Sequence, residues 1–358
     1  LRAFDAKRLF SRIFDELLEE YRMFERWGLR FLTSAGIGLA TAFAAQAQAP
    51  APTAPFSLPL DCVVGESCFL QNLIDLDQSA GSIIDSLCGQ DTYDNHKGID
   101  IRVLTLKDMR RGVNVLAAAD GEVLGLRDEM ADVLVEGAVP PTIKGRECGN
   151  GVGIRHANGL TTQYCHMQRG SIAVRKGQKV KRGDVLGKIG VSGLSAFPHL
   201  HLSVRAGEKL VDVLGDPAGG ASCDIGQTKL DLFGKELREA LLASRNDILQ
   251  IGLADRPFKL DALVQGATPD VPTTQSQAMV AWGWAMNALK GDQMRIVIES
   301  DAGVFIDQTT KPRERRSAAF VNFAGRSRSP EAGVYKVTVS LIRNGQAFER
   351  KTDTFNVK

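Results

Sequence analysis

The chain of 358 residues holds only five histidines, His96, His156, His166, His199 and His201. All of them fall before the last third of the sequence. His199-Leu200-His201 opens the apolar run Leu200–Val204. Residues i and i+2 of a strand share a face, so both imidazoles project to one side. Two adjacent imidazoles can bind one metal ion, or one can bind while the other handles protons. His96 and Asp100, in Asn95-His96-Lys97-Gly98-Ile99-Asp100, add a nitrogen and a carboxylate oxygen, donors that suit Zn²⁺. Gly98 would let the backbone turn sharply between them. His96, Asp100 and one of His199 or His201 thus supply three protein ligands and leave a fourth position for water. Catalytic zinc sites have that open composition, whereas structural ones are closed by four ligands. His166 adds another imidazole in Gln163-Tyr164-Cys165-His166-Met167. On a strand, Cys165 would point away from its neighbour His166, which favours a disulfide over a metal bond. His156, just before Asn158-Gly159, reads as a structural hairpin residue.

The elements that must position these groups are short apolar runs broken by glycine. From Leu60 to about Ile225 these are Val113–Ala118, Gly121–Leu126, Val152–Arg155, Val185–Ile189 and Leu200–Val204. Asp120-Gly121 and Asn158-Gly159 sit between runs, as hairpin turns do, and an antiparallel β domain is expected. In Lys229–Arg245, Leu230, Phe233, Leu237, Leu241 and Leu242 recur near helical spacing and predict a helical connector. Pro269–Thr274 reads as a turn or linker. Toward the end, Tyr335, Val337, Val339 and Leu341 alternate with polar residues, and Asn344-Gly345 closes a hairpin into Ala347–Val357. Met294, Ile296 and Ile298 form a second period-2 stripe, as do Trp282 and Trp284. These strands suggest a small immunoglobulin-like sandwich. No internal repeat is present.

Composition sets the class and the compartment. A hydrophobic content of 44% and a charged content of 24% suit a globular protein. A net charge of +2 gives no reason to invoke nucleic acid. No stretch after the first fifty residues is apolar enough to span a bilayer. Near the N-terminus, Arg26 and Arg30 precede the apolar run Phe31–Ala45, followed by Ala45-Gln46-Ala47 and Ala47-Gln48-Ala49. Charged start, short apolar core and small-residue exit predict a secretory signal peptide. Translation would start at Met23, the mature chain near Gln48 or Pro50, and the location would be periplasmic or secreted. Six cysteines, Cys62, Cys68, Cys88, Cys148, Cys165 and Cys223, fit an oxidising compartment. Cys62 with Cys68 closes a short loop; Cys88 with Cys148 and Cys165 with Cys223 is the preferred completion. No C-x-x-C pair is present, which argues against a zinc knuckle or thioredoxin-like site.

The order His96-x-x-x-Asp100, Tyr164-x-His166, His199-x-His201 inside a glycine-rich β domain resembles the lysostaphin/LytM family of zinc endopeptidases. Gly190-Val191-Ser192-Gly193-Leu194-Ser195, ahead of Pro198-His199-Leu200-His201, is similar to that family's approach to its H-x-H. Ala118–Val123 and Val180–Gly187 also resemble its β core. The match runs from about Cys88 to Val211. It implies a mainly β, antiparallel LytM-type fold (duplicated hybrid motif), with Zn²⁺ held by His96, Asp100 and His201. His166 and His199 would be catalytic but not ligands. The implied activity is that of an exported zinc metalloendopeptidase cutting peptide cross-links of peptidoglycan stems. All five positions are filled, which argues against members that lost zinc and act as activators of other hydrolases. Cys165 stands where a small residue is common, Met167 where Leu is common, and six cysteines are unusual for the family.

The expected organisation is an N-terminal extension and signal peptide over 1–49, a Pro/Ala-rich linker over 50–59 and a metallopeptidase domain over 60–225. A helical connector over 226–255 and a β-sandwich over 256–358 follow. Three rivals remain. A zinc-free binding or activating protein could use the same fold. An endopeptidase could act on other envelope proteins. A lipoyl or biotinyl carrier would share the Val180–Gly190 pattern but would not need His96, Asp100 or the H-x-H. Lys311–Arg316 reads as a solvated loop, with anionic wall polymer or lipid as the other reading. No partner for the C-terminal sandwich can be read.

Overall fold

The computed structural model describes residues 56–215, except Glu136 and Ala138, and residues 228–358. The expected signal peptide, most of the linker and Cys223 lie outside the described residues. No described helix is long and apolar enough to cross a membrane.

In the first region the strands are β1 (Cys68–Asn72), β2 (Ile99–Val103), β3 (Asn114–Leu116), β4 (Gly121–Arg127), β5 (Asn150–Arg155) and β6 (Leu160–Met167). They continue with β7 (Lys179–Val180), β8 (Val185–Lys188), β9 (His199–Ala206), β10 (Lys209–Asp212) and β11 (Thr228–Lys229). The main sheet runs β1-β2-β9-β6-β5-β4-β7, and β3 pairs with β8 in a sheet of two. Helix α1 (Leu106–Arg111) follows β2, with Thr105 capping its start by accepting from the Asp108 amide. Pairing is antiparallel apart from β10 with β11.

Period-2 alternation explains how this sheet presents a polar face. Ile99 and Ile101 of β2, with Leu200 and Leu202 of β9, are almost wholly buried in the main apolar core. The alternate residues, Asp100 and Arg102 on β2 and His199 and His201 on β9, therefore share the opposite face. The register places Asp100 across from His201 and Arg102 across from His199. At the β1 edge the pairing slips between Leu70 and Asn72, so Asn72 lies across from Asp100 with Gln71 as the extra residue. A bulge of this kind re-aims side chains next to a site.

The second region begins with β12 (Ile248–Ala254), earlier than the boundary at residue 256 expected from sequence. The connector is helical over α2 (Gly234–Ala243), and a short helix α3 (Leu260–Gln265) follows β12. Then come β13 (Met279–Ala288), β14 (Gln293–Ser300), β15 (Gly303–Thr309), β16 (Ser317–Arg326), β17 (Gly333–Arg343) and β18 (Gln346–Val357). They form two antiparallel sheets, β12-β13-β16 and β15-β14-β17-β18, packed through a common apolar core that includes Ile251, Ala281, Ile296 and Val339. Asn344-Gly345 turns β17 into β18 as expected, both residues at positive φ.

Strand β13 is buried on both faces. Met279, Ala281 and Ala285 face the sandwich core. Val280, Trp282, Trp284 and Met286 face outward onto Phe69 of β1 and Leu263 of α3, with Leu104 packed alongside. The tryptophan stripe is thus a seam between the two regions, not the interior of an independent tail.

Three local expectations change. Asp120-Gly121 is not a hairpin turn, because β3 and β4 do not pair. The Asp120 carboxylate instead accepts from Lys181 Nζ and the Arg182 amide, each at 2.8 Å. Cys148 bonds to Cys165, with Cα atoms 4.8 Å apart, so neither Cys88–Cys148 nor Cys165–Cys223 forms. The reason is proximity across strands: the Cys148 carbonyl accepts from the His166 amide, which holds the segment before β5 against β6. Cys62–Cys68 forms as expected, and Cys88 is also disulfide-bonded. Finally, Gly98 does not serve a left-handed turn. A Cβ there would lie 2.2 Å from the Leu202 carbonyl oxygen, so glycine is needed for the close approach of β9. Gly98→Ala should therefore cost about 1–3 kcal/mol of stability through overpacking, measured as a lowered urea midpoint against wild type.

Candidate metal centre

Three donor atoms converge at the centre of the polar face. His96 Nε2 lies 3.1 Å from Asp100 Oδ1 and 3.0 Å from His201 Nδ1, and His201 Nδ1 lies 2.9 Å from Asp100 Oδ1. His96 and Asp100 are buried and His201 is partly open. Each donor is oriented from behind. His96 Nδ1 donates to the Leu73 carbonyl at 2.6 Å, which leaves Nε2 as the lone-pair nitrogen. Asn72 Nδ2 donates to Asp100 Oδ2 at 2.8 Å, so Oδ1 is the oxygen turned to the histidines. The bulge at Gln71 makes that bond possible.

His96 Nε2 and Asp100 Oδ1 are both acceptors, as is His201 Nδ1 in the tautomer that could bind a metal. Three acceptors this close repel one another unless a proton or a cation sits among them. Donors bound at about 2.0–2.1 Å to a tetrahedral ion lie ~3.3 Å apart, close to the spacing observed. The nitrogen, nitrogen and carboxylate set therefore fits zinc. Burial alone would raise the Asp100 carboxyl. The imidazoles of His96, His199 and His201 around it outweigh that and hold it well below the usual carboxylate range.

His166 and His199 flank the three donors. Their rings are 4.5 Å apart, and His199 Nε2 lies 3.6 Å from Asp100 Oδ1. Each is fixed through its other nitrogen. His166 Nδ1 donates to the Ser192 carbonyl at 2.9 Å, and His199 Nδ1 to the Phe197 carbonyl at 2.8 Å. Both Nε2 atoms are thereby left with lone pairs. Burial, then the charges of His199 and His201, pushes His166 well below the ordinary imidazole range. Burial likewise lowers His199, against the opposing pull of Asp100. Both rings are neutral at pH 7. His166 itself sits at φ 62, a left-handed conformation that is rare for a non-glycine residue.

All five residues singled out from the sequence thus meet in one place. His156 does not join them: it bridges the Asp120 carbonyl and Thr162 Oγ1. Cys165 is in its disulfide and supplies no donor to the cluster. Sequence reasoning passed over Asn72, which has no spacing signal and stands 28 residues before Asp100. It also passed over Tyr93, three residues ahead of His96, whose half-exposed ring lies 4.3 Å from the His96 ring at the rim.

Residues 94–213 match the profile of Peptidase family M23. The chain carries an M23 peptidase domain. Among curated relatives, the cell division protein DipM of Caulobacter vibrioides is 31% identical over 35% of this chain and 17% of its own length. The DD-carboxypeptidase/endopeptidase Mpg of Neisseria meningitidis is 36% identical over 32% of this chain and 21% of its own. The chain thus spans only 17% to 21% of the length of these two relatives. A solved structure, the catalytic domain of the prophage-encoded M23 protein EnpA from Enterococcus faecalis, aligns over 43% of this chain and 86% of that chain, with 24% identity and a TM-score of 0.27.

The Asn72–Asp100 bond, which ties β1 to the matched segment, is the contact most directly testable by metal binding. Asn72→Leu removes the donor that orients Asp100. Zinc affinity should fall about 10–100-fold, read by competition with a chromogenic chelator, while the far-UV spectrum stays that of wild type.

Proposed function

We propose that the chain is an exported zinc metalloendopeptidase that hydrolyses peptide cross-links of peptidoglycan. The observation that carries this reading is the convergence of His96, Asp100 and His201 within 2.9–3.1 Å, flanked by two neutral imidazoles. In this reading His96 Nε2, Asp100 Oδ1 and His201 Nδ1 are the metal ligands, and His166 and His199 are catalytic. The names of the relatives, one a DD-carboxypeptidase/endopeptidase, support a peptidoglycan substrate. The disulfides support a periplasmic or secreted location.

When bound, zinc supplies Lewis acidity and lowers the pKa of a water from 15.7 toward about 7. The chain's own residues do the rest. His199 Nε2 or His166 Nε2 takes the proton of the attacking water and passes it to the leaving amine. Once protonated, the same atoms donate to the oxyanion that develops on the carbonyl. Both imidazoles are available as bases because burial keeps them neutral. The second region is assigned as an immunoglobulin-like sandwich. Its first, second and fifth strands form one sheet, and its fourth, third, sixth and seventh the other.

His201→Ala should lose zinc and activity together. His166→Ala should keep zinc and lose about 10²–10⁴-fold in kcat, the contribution of a general acid–base group. Metal analysis with digestion of cross-linked muropeptides reads both. Wild type that binds zinc but spares muropeptides would favour another envelope protein as substrate, and wild type without zinc would favour the activator reading.

The pH profile tests the protonation states. A depressed imidazole pKa means the base is neutral above it and is lost as pH falls through it. The acid limb of kcat should therefore lie below pH 6.5, the ordinary imidazole value. A limb at or above that value would contradict the assignment of neutral, buried bases.

A further inference from the structure

Arg102 is the largest charged side chain in the interior, 1% exposed. Among the described residues no carboxylate is paired with it, and a guanidinium stays charged at neutral pH. An unpaired buried cation is costly unless its surroundings compensate. Here hydrogen bonds at two nitrogens and two aromatic rings supply part of that compensation, while Nε has no hydrogen-bond partner among the described residues. Nη1 donates to Gln71 Oε1 at 2.8 Å and Nη2 to the Leu104 carbonyl at 3.3 Å. One face of the guanidinium lies over Phe197 and another ring, Trp284 of β13, lies at the same 5.0 Å distance. Such cation–π contacts gain strength when desolvated.

Phe197 in turn touches the flanking imidazole. Its ring stacks on His199 with centroids 4.4 Å apart, and its carbonyl accepts from His199 Nδ1 at 2.8 Å. Trp284, Arg102, Phe197 and His199 therefore form one continuous series of planar groups, running from the second β region to the imidazole. The β2–β9 register that sets Arg102 across from His199 keeps the series in line. Gln71 fixes the guanidinium plane. Its Nε2 donates to Asn287 Oδ1 and to the Ala318 carbonyl, each at 2.9 Å, and Asn287 Nδ2 donates back to the Gln71 carbonyl at 2.7 Å.

We propose that Arg102 and Trp284 are positioning residues that act on His199 through Phe197, so that the second β region is part of the peptidase's working site. This rests on His199 being a catalytic group. A leucine at either position would fill space; only a planar group at both holds Phe197, and through it the ring and Nδ1 partner of His199, in one orientation. The second region thereby has a role in turnover that is separate from binding substrate.

The test uses the full chain, zinc-loaded, with Trp284→Leu, Trp284→Phe and Arg102→Lys. Two readouts are taken: steady-state kinetics on cross-linked muropeptides, and the rate of diethylpyrocarbonate modification of His199 by peptide mass mapping. Trp284→Leu and Arg102→Lys should lower kcat about 10–100-fold, as a displaced catalytic group does. KM and zinc content should stay as in wild type, and His199 should be modified several-fold faster. Trp284→Phe keeps an aromatic face and should restore both readouts. Arg102→Lys keeps the charge, so it decides the matter if Trp284→Leu does not fold. A folded variant of either kind with wild-type kcat and wild-type labelling overturns the proposal. Labelling needs no substrate, so a wild type that spares muropeptides would defeat the assigned activity while the labelling still judges the clamp.

Discussion

Three lone-pair donors held within about van der Waals contact of one another are the condition around which the molecule is arranged. Left to themselves, His96 Nε2, Asp100 Oδ1 and His201 Nδ1 would move apart. They stay together because each is anchored from behind by a rigid element. Leu73 holds His96, Asn72 holds Asp100, and the β2–β9 ladder holds His201 opposite Asp100. The same logic extends outward. The two flanking imidazoles are each fixed by a backbone carbonyl rather than by a mobile side chain. Desolvation then does the electrostatic work, keeping His166 and His199 neutral in a site that would otherwise collect protons.

The loop that delivers His96 has a second set of anchors, and these come from beyond the M23 domain. Asp91 lies in a pocket with Arg245 Nε at 3.4 Å and Arg316 Nη2 at 3.7 Å, and Arg316 Nη1 donates to the Thr92 carbonyl at 3.1 Å. Burial, with the nearby Asp85 charge, raises the Asp91 carboxyl against the pull of these arginines. Arg316 closes the basic run that begins at Lys311. Lys311 and Arg315 are exposed, in keeping with a solvated loop, but Arg316 turns inward. One short run therefore has two uses, and charge pattern alone does not separate them.

The sequence made the chemistry legible because metal ligands depend on residue type and short spacing. His199 and His201 at i and i+2, and His96 and Asp100 four apart, point to one metal-binding face before any fold is known. From residues alone, His199 and His201 were equivalent as ligands. The resemblance distinguishes them, and in the structure His201 Nδ1 lies 2.9 Å and His199 Nε2 3.6 Å from Asp100 Oδ1. Strand runs such as Leu200–Val204 and the Asn344-Gly345 hairpin were also readable, since alternation and turn chemistry are local. What could not be read depends on contacts between distant segments. Asp120-Gly121 has the composition of a hairpin turn, yet its carboxylate serves a different loop. Cys148 and Cys165 pair because a ladder brings them side by side, which no spacing rule encodes. Asn72 and Arg102 matter through what they touch, and nothing in their immediate neighbours marks them.

Strand β13 carries a consequence for how this sequence can vary. A typical strand at a domain boundary has one face in a core and one in water, and the wet face drifts freely. Met279–Ala288 has no such face, since all ten residues are buried. Small residues at 281, 283 and 285 meet the sandwich, where a Cβ at Gly283 would come within 2.8 Å of Val339. Large ones at 282, 284 and 286 share a second cluster with Phe69 and Leu104 of the first region and with Leu263 and Phe258 beyond β12. The strand is thus read by two partners at once, and a change in volume on either side is felt by both. Drift in one region must be matched in the other, so the two regions are bound to evolve as a pair and a foreign sandwich could not simply be exchanged for this one.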